Sequence, residues 1–131
     1  MRAEKVVAYL LTNSAPVTSL VGAKISAVIG AQPDDAPFVV YWKETADRDY
    51  RISMGGPAIV RAIISIQCVA LSYAALKDLG EAVRSTLVNQ FGTIAGVEVN
   101  EIQVASEGAD FYDPELQLFA QLWQFQVTHQ E

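Results

Sequence analysis

The chain has 131 residues, 51% of them hydrophobic and only 18% charged, with a net charge of −6 and a mean hydropathy of +0.22. That length suits a single domain over residues 1–131, large enough to close a core without a disulfide or a metal. The acidic balance and the lack of a basic patch argue against tight gripping of nucleic-acid phosphates, and the single cysteine, Cys68, excludes an internal disulfide and favours a reducing compartment.

Residues 3–12 predict a helix, because Ala3, Val6, Val7, Leu10 and Leu11 recur at three- and four-residue spacing. Asn13 offers a left-handed stop, and Pro16 prevents continuation. Residues 17–21 suit one further short turn of helix, closed by Gly22. Residues 24–29 are a short strand candidate. Gly30, Pro33, Asp34, Asp35 and Pro37 mark a loop over residues 30–37. Phe38, Val39, Val40, Tyr41 and Trp42 open a strand over residues 38–45. Residues 46–57, polar and then glycine-rich, read as a loop with a mobile middle.

Residues 59–70 carry the clearest two-residue period. Val60, Ala62, Ile64, Ile66, Cys68 and Ala70 form an apolar face, while Ile59, Arg61, Ile63, Ser65, Gln67 and Val69 form a mixed one. Such alternation marks a strand with one face on the core and the other partly available. Residues 72–91 predict the main helix, with Ser72 as N-cap, a stripe of Leu76, Leu79, Val83, Leu87 and Phe91, and Gly80 allowing close approach. Gly92 is the expected stop.

Residues 97–104 predict a strand whose apolar set changes phase between Val99 and Ile102, a sign of a bulge or an edge. Residues 105–114 read as an acidic loop, with Glu107, Asp110 and Asp113. Residues 116–129 read as a long last strand, with Leu116, Leu118, Ala120 and Leu122 pointing one way and Phe119, Trp123, Phe125 and Val127 the other. The order of elements gives the α+β class: an antiparallel or mixed β-sheet with one main helix and an N-terminal helix packed on it.

Residue types for chemistry are scarce. His129, near the end of the chain, is expected to be solvated, whereas general-base work needs a positioned imidazole. One Cys and one His leave too few ligands for zinc. Cys68 lies on the apolar face of its strand and reads as a small hydrophobe. Neither Asp34 with Asp35 nor Asp47 with Asp49 fits a calcium loop. Gly55-Gly56-Pro57 lacks the lysine and hydroxyl of a phosphate loop. Trp42, Phe119, Trp123 and Phe125 could stack bases, but with little positive charge around them they suit a core or an interface better. No catalytic residue, cofactor or metal site is therefore expected, nor a membrane span, since the apolar stretch 57–76 holds Arg61 and Gln67. Apolar content beyond one core points to contacts between copies.

Several runs in order resemble the tail completion (tail terminator) family of long-tailed phages and prophages. They are Ala15 to Gly22 (APVTSLVG) after the first helix, Ala36 to Tyr41 (APFVVY) leading a strand, Arg48-Asp49-Tyr50, the helix around Tyr73 to Arg84, and Asp110 to Glu115 (DFYDPE) before an apolar last strand. The chain departs from the family where Lys24-Ile25-Ser26-Ala27 replaces a tyrosine and a basic residue, and where Gln117 and Gln121 stand in place of arginines. The resemblance implies a virion subunit without catalytic activity, located in the tail and in the host cytoplasm during assembly. It implies a homo-oligomeric ring, a hexamer, that ends the tail tube, meets the head connector and lets DNA pass through its lumen without specific binding. Another head–tail connector or tail subunit, and a small-molecule-binding domain, are the alternatives. The interface candidates are Arg48, Asp49, Tyr50 and Met54 in the polar loop, Phe111 and Tyr112 in the acidic loop, and Phe119, Trp123 and Phe125 on the last strand.

Overall fold

A computed structural model describes residues 2–22, 24–27, 36–49 and 59–130. Among these residues three helices pack on a six-stranded mixed sheet, an α+β fold. The helices are α1 (Arg2–Thr12), α2 (Ala15–Val21) and α3 (Tyr73–Leu87). The strands are β1 (Ile25–Ala27), β2 (Phe38–Asp49), β3 (Ile59–Ala70), β4 (Gly92–Ile94), β5 (Val97–Asp113) and β6 (Leu118–Gln130). Across the sheet they run β1-β2-β3-β6-β5-β4. Only the β1–β2 pair is parallel.

The core lies between the helices and one face of the sheet. The predicted apolar set of β3 from Val60 to Ala70 is buried throughout. Its members from Ala62 onward share one cluster with Trp123, Phe125 and Val127 of β6, with Val6, Val7 and Leu11 of α1, and with Leu76, Leu79, Val83 and Leu87 of α3. Each of the Val, Leu, Ile and Phe side chains among them contributes about 1.5–3 kcal/mol by leaving water. Gly80 lets α3 settle on the indole of Trp123, because a Cβ there would stand 3.1 Å from Trp123 Nε1.

Local capping follows the sequence at two helix starts. The Ser72 hydroxyl accepts from Ala75 N at 3.1 Å, and the Ser14 hydroxyl accepts from Val17 N at 3.5 Å. Ser14 also bonds Thr86 at 2.8 Å, which ties α2 to α3.

The structure differs from the sequence expectation in several places. Asn13 does not take the left-handed conformation; its side chain instead donates to Tyr9 O at 2.8 Å. Helix α3 ends at Leu87, not Phe91, because Val88 turns extended and Asn89 adopts φ 67°. Phe91 therefore leaves the helical stripe and stands 77% exposed, and Gly92 begins β4 rather than ending a helix. Residues 46–49 belong to β2, held in register with residues 59–62. Residues 105–113 belong to β5, which pairs with β6 as far as Asp113. The acidic residues there are tolerated because this length of strand is mostly exposed. The phase change near Val99 is a register shift between Val99 and Glu101, followed by two more before Asp110.

Candidate functional site

The helices cover one sheet face, and among the described residues no element covers the other. That open face carries the mixed set of β3 together with alternate residues of β2 and β6. It divides into three zones along the strands.

At one end lies a shallow depression of about 200 Å³, lined by Phe38, Val69, Phe111, Leu116, Leu118 and Ala120 with Gln67 and Asp113 at its polar side. Phe38, Val40, Val69 and Leu118 form a second small apolar cluster, separate from the main core. The tight β5–β6 turn shapes this end. Asp113 Oδ1 accepts from Glu115 N at 3.0 Å and Leu116 N at 3.2 Å, which leaves Leu116 exposed.

The middle zone is a polar network. Glu44 Oε1 accepts from Trp42 Nε1 at 2.7 Å and from the buried Ser65 hydroxyl at 2.8 Å. Gln124 Nε2 donates to the same hydroxyl at 3.4 Å. Glu44 follows Phe38, Val40 and Trp42 onto this face by strand alternation, and a register shift between Lys43 and Thr45 then sets Thr45 and Asp47 on it as well. The third zone carries charge, with Asp47 opposite Arg61.

On the helix side of the same strands, the start of α3 is tied to β5. Asp110 accepts from Lys77 Nζ at 2.7 Å and from the Tyr73 hydroxyl at 2.8 Å. The Lys77 hydrogen bond, followed by that of Tyr73, holds the Asp110 carboxyl below the ordinary value, and Asp110 in turn raises Lys77. Tyr73 and Tyr112 both pack on the Phe119 ring, at 6.1 Å and 4.7 Å between centroids.

The predicted interface residues divide by position. Phe111 and Tyr112 are exposed, at 61% and 45%, on β5 rather than in a loop. Phe119 is half-buried between Tyr73 and Tyr112. Trp123 and Phe125 are buried and stack on each other at 5.9 Å within the core. Arg48 and Asp49 lie in β2, paired with Val60 and Ile59, rather than in a loop. Tyr50 and Met54 lie outside the described residues, as do Asp34, Asp35 and Gly55-Gly56-Pro57. Sequence reading missed the Glu44–Ser65–Gln124 network; the signal for it was three polar residues on strands whose neighbours are apolar.

His129 is not solvated. It is buried late in β6 opposite Val60 and Val99, with Nδ1 2.8 Å from Gln130 O. Burial pushes the Cys68 thiol up to about 12, so it stays protonated near neutral pH. Among the described residues no three His, Cys, Asp or Glu side chains gather as a metal site, and no helix is long and apolar enough to cross a membrane.

A family model described as "Tail completion protein gp17" matches residues 5–130. Among solved structures, the chain is similar to one from the "Virion of native gene transfer agent (GTA) particle". The TM-score is 0.75 at 15% identity, covering 96% of this chain and 92% of that one. At that identity the likeness is one of fold. No curated protein matches the chain.

Proposed function

The chain belongs to the tail completion protein gp17 family, and we propose that copies of it form a ring, a hexamer, at the head-proximal end of a phage tail. Membership of that family makes the chain a structural protein of the phage tail. In our reading the ring terminates the tail tube, meets the head connector and leaves a lumen through which DNA passes without specific binding. The role is structural rather than catalytic.

The observation that carries this reading is uncovered apolar surface. Around one end of the sheet Phe111 and Leu116 are exposed at the depression, and Tyr112, Leu71 and Tyr73 are exposed nearby, Tyr73 and Tyr112 on the helix side. A subunit that meets neighbours on different patches needs such surface on its outside. At about 200 Å³ and open to solvent, the depression is smaller than the ~300–1,000 Å³ usual for small-molecule sites, so a protein neighbour suits it better.

Electron microscopy with mass measurement of the purified protein at high concentration tests the proposal. Closed rings of six copies are expected, alone or on added tail tube protein. A chain that stays single under both conditions overturns the reading.

A further inference from the structure

The two lateral flanks of the sheet differ in charge. All nine Lys and Arg residues precede Ser85, whereas Glu98, Glu101, Glu107, Asp110, Asp113 and Glu115 follow it. Strand β5 therefore carries five acidic residues and no basic one. Its outer side is also largely unpaired. Strand β4 covers only Val97–Val99, and Asn89 N donates to Ile102 O at 3.1 Å. From Gln103 to Asp113 no described strand lies against it. Those residues extend ~35 Å at ~3.4 Å each, and Val104, Phe111 and Tyr112 are exposed along them. On the opposite flank, β1 covers β2 at residues 39–41. The exposed Lys24 and Lys43 stand there, and neither makes an ion pair among the described residues.

We propose that the acidic edge of β5 docks along the β1–β2 flank of a second copy, head to tail. This rests on the ring reading above and names the surfaces that join the copies. Three considerations select this partner. Pairing β5 with another β5 would set acid against acid, which is unfavourable for directly opposed strands. Lys24 and Lys43 supply the opposite sign on a flank of mixed charge, where Glu44 of β2 is engaged by Trp42 and Ser65 and Asp47 stands opposite Arg61. Strands β2 and β5 run in opposite directions within the sheet, since each pairing from β2 through β3 and β6 to β5 is antiparallel. Continuing the sheet from one copy to the next therefore sets β5 antiparallel to the neighbouring β2. A contact between two different patches repeats by rotation, as a closed ring requires. The register shifts of β5 make its edge irregular, which restricts pairing with unrelated strands.

Two charge-reversed variants test this. One carries K24E and K43E, the other E101K and E107K, and circular dichroism establishes that each folds. Mass is then followed by sedimentation over a concentration series. Wild type is expected to associate, and each variant alone to associate at least tenfold more weakly. Mixed in equal amounts, the two should associate again, because every junction then sets opposite charges together. Added salt should weaken the wild-type association. Wild-type oligomers with reversals that change nothing, or folded variants whose mixture stays dissociated, overturn this interface and leave the ring standing. A wild type that is monomeric throughout overturns both.

Discussion

Replacing Gly108 with alanine probes the fold where β5 packs directly on the backbone of β6. A Cβ on Gly108 would overlap the carbonyl oxygen of Leu122, which is backbone of the neighbouring strand and cannot rotate away. Relief requires moving one strand off the other. The Gly108 carbonyl accepts from Gln121 Nε2 at 2.9 Å, and Gln121 Oε1 accepts from Trp123 Nε1 at 3.2 Å. Gln121 is only 3% exposed, so a shift of Gly108 leaves its amide without a partner or water. Forced overpacking costs ~1–3 kcal/mol, and an unsatisfied buried donor costs a further ~1–3 kcal/mol. The expected loss for Gly108→Ala is therefore ~2–6 kcal/mol, larger than the ~0.4–1 kcal/mol gained at a permissive glycine by stiffening the unfolded chain. Urea unfolding should show a lower midpoint with an unchanged slope. In a domain of this size the melting temperature should fall by ~6 °C or more. Gln121→Ala should lose part of the same energy, so the double variant should fall short of additivity. A Gly108→Ala protein as stable as wild type would refute the reasoning.

Gly80→Val places a branched side chain against the Trp123 indole and should destabilise by ~1–3 kcal/mol, read by urea unfolding followed through circular dichroism. Asp110 has a folded-state pKa below its ordinary 3.8, so its tie to Lys77 and Tyr73 contributes stability above pH 3.8 and is lost as pH falls through the folded value. Urea midpoints of wild type and Asp110→Asn should accordingly differ near neutral pH and converge on acidification below 3.8. Cys68, buried with its thiol pushed up to about 12, should resist a thiol reagent at pH 8 and react at the rate of unfolding. Prompt labelling of the native protein would contradict its burial.

What was legible depended on whether a residue's surroundings left a period in sequence. The apolar face of β3 and the stripe Leu76, Leu79, Val83 and Leu87 were read correctly because each packs against one continuous surface. The phase slip near Val99 announced a bulge that is present. The far half of β5 was misread because Glu107, Gly108, Asp110 and Asp113 have the composition of a loop. They form strand because β6 supplies the ladder while their side chains mostly stay in water. Residues 46–49 failed for the same reason, being held by β3 rather than by their own preference. Phe91 continued the helical spacing, but Asn89 had already turned the chain. Among the interface candidates, nothing in sequence separates Trp123 and Phe125, which fill the core, from Phe111 and Tyr112, which face water. That distinction comes only from the helices settling on one side of β6.

The polar middle of the open face bears on where neighbours can attach. Trp42 Nε1, the Ser65 hydroxyl and Gln124 Nε2 already have partners within the chain. Covering them would remove water from Glu44 without supplying a new bond, and desolvation that ends in imperfect pairing subtracts from affinity. Burial is favourable instead at the sheet's end, where Phe111, Tyr112 and Leu116 stand in water, and, under the proposed docking, along the flanks where Lys24 and Lys43 would meet the acidic β5. Contacts confined to the end and flanks leave the central face in solvent and the helix-side core untouched. Substitutions at Lys43 or Glu107 should then change assembly without changing folding, whereas substitutions at Gly80 or Gly108 should do the reverse. The two properties reside on different parts of the same sheet and can be separated by experiment.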